Sequence, residues 1–366
     1  MDRMGHVAGK KWLFWIMVPF YALLFGEIFV RLLTPVAVIP RYVTGAAYGV
    51  RVGMPNMKFW QTTSEARVQI RTNSRGIRAD REYSYSKPPG TCRIVVFGDS
   101  LLVGYEVNLE DSFVYLLEKK LGAAGYRCEV INLAVSGFGT AEMLVTLREE
   151  GLKYHPDVVL FSSHVTDLDD NVRSSLYTID DHGKLLRKNA VFLPGIKMSD
   201  ELSRYWIYRW VAENSQLYSS MREHAAFFLK AQLLRYNKRK QVAPDSTGGT
   251  EREAGDRQAA GFQERLNLLL LEEARQVSES SQSRFCVLEI PFNQTRTTFV
   301  RMLPDYDVQT REALHIFNPL GSFEAAAAPT RKLFLEKGHG HLSPQGNEVL
   351  AAFFFSNLVA TGWLHR

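Results

Sequence analysis

The sequence predicts an α/β protein built on a parallel sheet and preceded by one apolar helix. Three observations carry that expectation. Arg93–Phe97 is a short, β-branched run that ends at Gly98, the pattern of a buried parallel strand. Downstream, strand-like runs alternate with stretches of helical spacing, as a βαβ architecture requires. Near the amino terminus, the run from Trp12 to Leu33 carries only two charges, Glu27 and Arg31, and is long enough to cross a bilayer.

The apolar run is read as an uncleaved anchor at residues 12–33, because no small-x-small cleavage site follows it and it is long for a signal peptide. Glu27 and Arg31, four apart, share a helix face near its distal end, where pairing and snorkelling lessen the cost of both charges. Arg3, Lys10 and Lys11 precede the run, so the positive-inside tendency assigns residues 1–11 to the cytoplasm and the remainder to the far side. Residues 34–89 read as an extended polar lead-in, and residues 90–366 as the α/β domain.

Within that domain, Asp111 or Ser112 caps a helix whose Phe113, Leu116, Leu117 and Leu121 share a face. Arg127–Leu133 is the second strand, Thr140–Glu150 a helix and Asp157–Ser162 the third strand. An aromatic-rich insertion occupies residues 172–240, and the polar composition of 241–261 reads as a flexible linker. Helical spacing resumes from Phe262 to Val277. Arg284–Ile290 and Ala313–Phe317 are further strands, and Ser343 with Pro344 opens the last helix.

Composition excludes several functions. A net charge of +5 over 366 residues, with no basic stripe interleaved with aromatics, argues against nucleic acid as a partner. The basic run from Lys230 to Lys240 reads as the charged outer face of a core helix, the alternative being a membrane-surface contact. Cys92, Cys128 and Cys286 lack metal-ligand spacing and are expected as buried free thiols. Gly137-Phe138-Gly139 follows a strand, but Glu142 holds the third glycine position of a dinucleotide fingerprint, where an acid would repel a pyrophosphate. His339, His341 and His164 with Asp167, Asp169 and Asp170 fit no specific metal motif. Neither metal nor cofactor is expected.

The chemistry is expected where the first strand ends. Ligands of open α/β sheets gather at the carboxyl ends of strands, and Gly98-Asp99-Ser100 places a hydroxyl there. GDSLLVGYEV, NLAVSGFGT (132–140), VVLFSSHVTDLDDN (158–171) and GHGHLSPQGN (338–347) together resemble, in order, the four blocks of the SGNH (GDSL-type) esterase and acyltransferase superfamily. The lead-in TNSRGIR (72–78) resembles a segment of its membrane-anchored bacterial members, and the resemblance covers residues 69 to 362.

It implies a three-layer, flavodoxin-like fold, with Ser100 as nucleophile and His341 as its base. The oxyanion donors would be the Ser100 and Gly137 backbone, with Thr166 standing where the family has Asn. Asp99, His339, Asp167 and His164 are candidate supporting residues. The triad acid expected two or three residues before His341 is missing, since Gly338 and His339 stand there. A Ser–His dyad, help from Glu336 or another carboxylate, or loss of activity would each answer that departure. The implied protein is a single-pass esterase or O-acyltransferase of the bacterial inner membrane. It would act in the periplasm on acyl, chiefly acetyl, esters of cell-envelope carbohydrate. The alternative is an inactive SGNH-fold module that binds glycan or a membrane partner.

Overall fold

The computed structural model describes residues 5–33, 38, 40–63, 65–241, 251–301, 303–336 and 340–364. Helix α1 (Gly5–Leu33) contains the apolar segment Phe14–Leu33, which by length and composition is able to cross a membrane and is almost wholly unburied. Arg31 Nε lies 2.7 Å from Glu27 Oε1, the pairing expected from their spacing. The lead-in is more structured than its composition suggests. It forms two antiparallel ribbons, β1 (Val43–Gly45) with β2 (Arg51–Gly53), and β3 (Lys58–Thr62) with β4 (Arg67–Arg71). Val50, in the turn of the first ribbon, and Ile77 and Tyr83, after the second, are buried in the main core.

The chain then enters the sheet as β5 (Cys92–Phe97), followed by the short α2 (Ser100–Val103), α3 (Phe113–Ala123) and β6 (Cys128–Asn132). Helix α4 (Thr140–Glu149), β7 (Val158–Ser163) and α5 (Thr166–Ser174) follow. The insertion comprises a hairpin, β8 (Tyr177–Ile179) with β9 (Leu185–Arg187), and the helices α6 (Ile196–Leu202), α7 (Trp206–Asn214) and α8 (Gln216–Gln241). Helix α9 (Glu251–Ser280) leads back to β10 (Arg284–Glu289), a small ribbon of β11 (Phe292–Asn293) and β12 (Phe299–Val300), and α10 (Val308–Ala313). Strand β13 (Ile316–Phe317), α11 (Leu320–Ala326) and α12 (Pro344–Ala360) complete the described elements. Ser343 caps α12 by accepting from the Gly346 N–H, with Pro344 in its first turn.

The main sheet has the order β6-β5-β7-β10-β13, and every pairing in it is parallel. In order of entry into this sheet the strands run 2-1-3-4-5, the flavodoxin-like order, whose switch point lies between β5 and β7. The buried strands alternate between two faces. Val95, Phe97, Val159, Phe161, Phe285 and Val287 pack with Leu144 of α4 and with Leu266 and Leu270 of α9. Ile94, Val96, Val158, Leu160, Cys286 and Leu288 pack with Leu117 of α3 and with Leu350 and Phe354 of α12. Each such side chain contributes about 1.5–3 kcal/mol by leaving water, so both helical layers hold the sheet firmly.

Two expectations are corrected. Cys92 and Cys128 are bridged, because they are direct partners in the β5–β6 register with Cα atoms 4.5 Å apart. Closing a loop of 36 residues contributes roughly 4 kcal/mol in the chain-entropy model. Cys286 alone is the buried free thiol. Of the stretch read as linker, residues 242–250 lie outside the described residues, whereas Glu251–Gly261 forms the first turns of α9. Its Glu, Arg, Gln and Ala residues suit a helix as well as they suit a solvated coil.

Candidate active site

Ser100 stands at the carboxyl end of β5, on the first turn of α2 and next to the switch point. Asp99 caps that turn, its Oδ1 accepting the Leu101 N–H at 2.9 Å. Gly98 is required by close approach, since a Cβ there would meet Ser162 Oγ of β7 at 2.4 Å. The loop after β6 is tied to this turn: the Val135 N–H donates to Gly98 O at 3.0 Å and Asn132 Nδ2 to Leu102 O at 2.8 Å.

His341, in the loop before α12, brings its Nε2 to 3.0 Å from Ser100 Oγ. Its Nδ1 lies 2.8 Å from Glu106 Oε2. Both residues are buried, and Tyr105 stacks on the imidazole with ring centroids 5.2 Å apart. The acid that was not found beside His341 therefore arrives from the other end of the domain, within the segment that carries Ser100. Glu106 is thus the other carboxylate that the sequence leaves unnamed, because its contact with His341 spans 235 positions of the chain. A signal did exist: Glu106 is the only charged residue in the apolar run Leu101–Val107.

The loop that carries Glu106 is held by the lead-in. Gly104 turns the chain with a φ of 78°, and Glu106 itself has a φ of 62°, an uncommon conformation for a residue with a Cβ. Gln61 Oε1 of β3 accepts the Glu106 N–H at 3.1 Å. The buried Arg78 guanidinium donates to Val103 O at 2.9 Å, to Gly104 O and to Val107 O at 2.6 Å. The end of the TNSRGIR segment thus acts as a clamp on the loop between Ser100 and Glu106. Tyr105 is also hydrogen-bonded to Tyr42, and it lines a cavity of about 340 Å³ beneath the ribbons.

The other candidate residues occupy the same edge of the sheet. Gly137, with a φ of 72°, lies in the loop after β6, and its carbonyl accepts from Arg51 Nη2 at 2.8 Å. Thr166 begins α5 after β7, and its Oγ1 is 2.9 Å from His164 Nδ1. Burial pushes the His164 imidazole down to about 4, so it is neutral near pH 7. Asp167 Oδ2 accepts the His164 N–H at 3.0 Å, which makes it a brace for this loop. Glu336 pairs with Arg296 at 2.7 Å on the surface and is not the partner of His341. His339 lies outside the described residues. Among the described residues no cluster of three metal-ligating side chains occurs.

Asp99 is buried, and burial pushes its carboxyl up to about 6 despite the Leu101 N–H and the nearby His341. The folded chain therefore favours the neutral carboxyl. Below about pH 3 both folded and unfolded chains hold the proton and nothing is lost. As pH rises towards 6 the unfolded chain gives up its proton more readily, and stability falls. Asp99→Asn keeps the cap acceptor without the charge. It is expected to raise the urea midpoint at about pH 8 and to leave it unchanged near pH 3. An equal shift at both would assign the effect to packing.

No protein-family model matches the chain. Over 137 residues, 34% of this chain and 68% of the relative, it is 29% identical to an arylesterase of Vibrio mimicus. Similar solved structures include TesA, with 13% identity, a TM-score of 0.36, and coverage of 73% of this chain and 97% of that one. The psychrotrophic esterase EstA from Pseudoalteromonas sp. has 12% identity and a TM-score of 0.35, over 74% of this chain and 97% of its own. The acetyl xylan esterase AlAXEase has 14% identity and a TM-score of 0.29, over 73% and 99% respectively. In this chain, the hydrogen-bonded series Ser100–His341–Glu106 at the carboxyl edge of a parallel sheet has the arrangement of a serine-hydrolase-type site.

Proposed function

We propose that the protein is a membrane-anchored serine esterase or O-acyltransferase, with Ser100 as nucleophile, His341 as acid and base, and Glu106 as the orienting carboxylate. The observation that carries this reading is the unbroken hydrogen-bond series through both imidazole nitrogens. Glu106 accepts from Nδ1–H and so leaves Nε2 unprotonated, facing Ser100 Oγ. As Ser100 attacks an ester carbonyl, Nε2 takes the hydroxyl proton and Glu106 stabilises the imidazolium.

The oxyanion that forms is met by backbone N–H groups of Ser100 and Gly137, with Thr166 as a third donor once its hydroxyl turns from His164. Collapse breaks the ester C–O bond, and Nε2–H protonates the leaving alkoxide. Water, or an acceptor hydroxyl, then attacks the acyl-Ser100 carbonyl while His341 removes its proton. Ser100 is regenerated, and the product is an acid or a new ester.

The substrate class follows from placement. With α1 as anchor, residues 1–11 cytoplasmic and the α/β unit beyond the membrane, the accessible esters are those of the bacterial cell envelope, O-acetylated carbohydrate foremost. The Cys92–Cys128 bridge suits such an oxidising compartment. The test is hydrolysis of p-nitrophenyl acetate and of O-acetylated glycan by the detergent-solubilised full chain. Turnover of the acetyl ester that disappears in Ser100→Ala is expected. Binding of the glycan without turnover of any short ester would replace the enzyme with the noncatalytic module.

A further inference from the structure

The helices α6–α8 leave an apolar face uncovered. On α7, Trp206, Ile207 and Trp210 occupy positions i, i+1 and i+4 and share one side, with Trp206 69% and Trp210 61% exposed. The opposite side, Tyr208, Val211 and Ala212, faces inward, and Tyr208 Oη lies 2.8 Å from Tyr218 Oη of α8. Met198 of α6 and Tyr205, just before α7, are likewise exposed. Several large apolar and aromatic side chains exposed on one short stretch mark a surface made to be covered.

The covering agent is indicated by what α7 and α8 are tied to. Glu27 of α1 accepts from Ser215 Oγ at 2.6 Å, from the Gln216 N–H at 2.9 Å and from the Leu217 N–H at 3.0 Å, so it caps the start of α8. Arg31, paired with Glu27, donates from Nη2 to Asn214 O at 2.7 Å at the end of α7. The two charged residues of the apolar run thus answer backbone groups at the α7–α8 junction. Satisfied helix ends are what a low-dielectric setting demands. Glu27 precedes the end of α1 at Leu33 by six residues, about 9 Å along the axis, so the junction is pinned near the distal boundary of the span. Trp and Tyr side chains close in sequence to such a junction suit the boundary between headgroups and acyl chains.

We infer that the α6–α7 face is seated in the outer leaflet of the same bilayer that α1 crosses, with Trp206, Ile207 and Trp210 among the lipid headgroups and upper acyl chains. This rests on the anchoring reading and goes beyond it: the insertion becomes a second membrane contact that fixes the orientation of the α/β unit relative to the surface.

The test uses the full chain in vesicles of phosphatidylethanolamine and phosphatidylglycerol, with nitroxide labels on single introduced cysteines. Cys92 and Cys128 are bridged and Cys286 is buried, so labelling is selective. Labels go at Phe20→Cys in the span, at Ile207→Cys and separately Trp210→Cys on α7, and at the exposed Val308→Cys as the aqueous reference. The expected result is loss of relaxation by a water-soluble nickel complex, with relaxation by oxygen retained, at positions 20, 207 and 210 but not at 308. Nickel relaxation at 207 and 210 equal to that at 308, with 20 shielded, overturns the docked face and leaves the anchor standing. Nickel relaxation at 20 as well overturns both. Shielding of 207 and 210 from nickel and oxygen alike overturns the inference in favour of a protein partner.

Discussion

Glu106→Gln is expected to lower kcat for a short acyl ester by about 10³–10⁴-fold with little change in KM. Glu106 faces imidazole Nδ1, on the side away from Ser100, so its loss is expected to leave ground-state binding intact. The amide lacks the charge that stabilises the imidazolium, and its N–H₂ competes for Nδ1 and favours the tautomer with the proton on Nε2. A protonated Nε2 cannot accept from Ser100. Glu106→Asp retains the charge but shortens the reach, and its kcat should fall between wild type and Glu106→Gln. Thermal melts of both variants separate this from unfolding, because the loop remains held by Arg78 and Gln61 through backbone groups of its residues. Full activity in Glu106→Gln would reduce the site to a Ser–His dyad.

The second large effect concerns the pair itself. Ser100→Ala and His341→Ala should each remove on the order of 10⁴–10⁶ of kcat, and the double variant should lose scarcely more than either single one. The nucleophile is useless without its base and the base without its nucleophile, so the losses do not add. Additive losses, with the double variant falling as the product of the two, would mean that the residues act on separate steps.

Much of this arrangement was legible in the chain because its signals are local. A β-branched run closed by Gly98 is a strand and a tight exit wherever it occurs, and Ser343-Pro344 opens a helix by cap chemistry confined to one turn. The position of Ser100 and the βαβ alternation followed from such signals, and the pairing with His341 from a resemblance between short blocks. Glu106 was not legible in the same way. It meets His341 across 235 positions, delivered by a left-handed turn at Gly104, by Gln61 of β3 and by Arg78 beyond β4, in a lead-in that reads only as extended chain. The Cys92–Cys128 bridge was hidden for a like reason: strand position alone does not say which residues stand opposite in register. The start of α9 was missed because Glu, Arg and Ala residues serve helix and coil equally.

The central claim is that Ser100, activated through His341 and Glu106, forms a covalent acyl intermediate. It is tested most directly by treating the wild-type full chain and Glu106→Gln with a fluorophosphonate and locating any adduct by peptide mass spectrometry. One adduct per chain is expected, on Ser100, formed rapidly in wild type and far more slowly in Glu106→Gln. Wild-type protein that stays unlabelled at Ser100 under conditions that label a known serine esterase would contradict it.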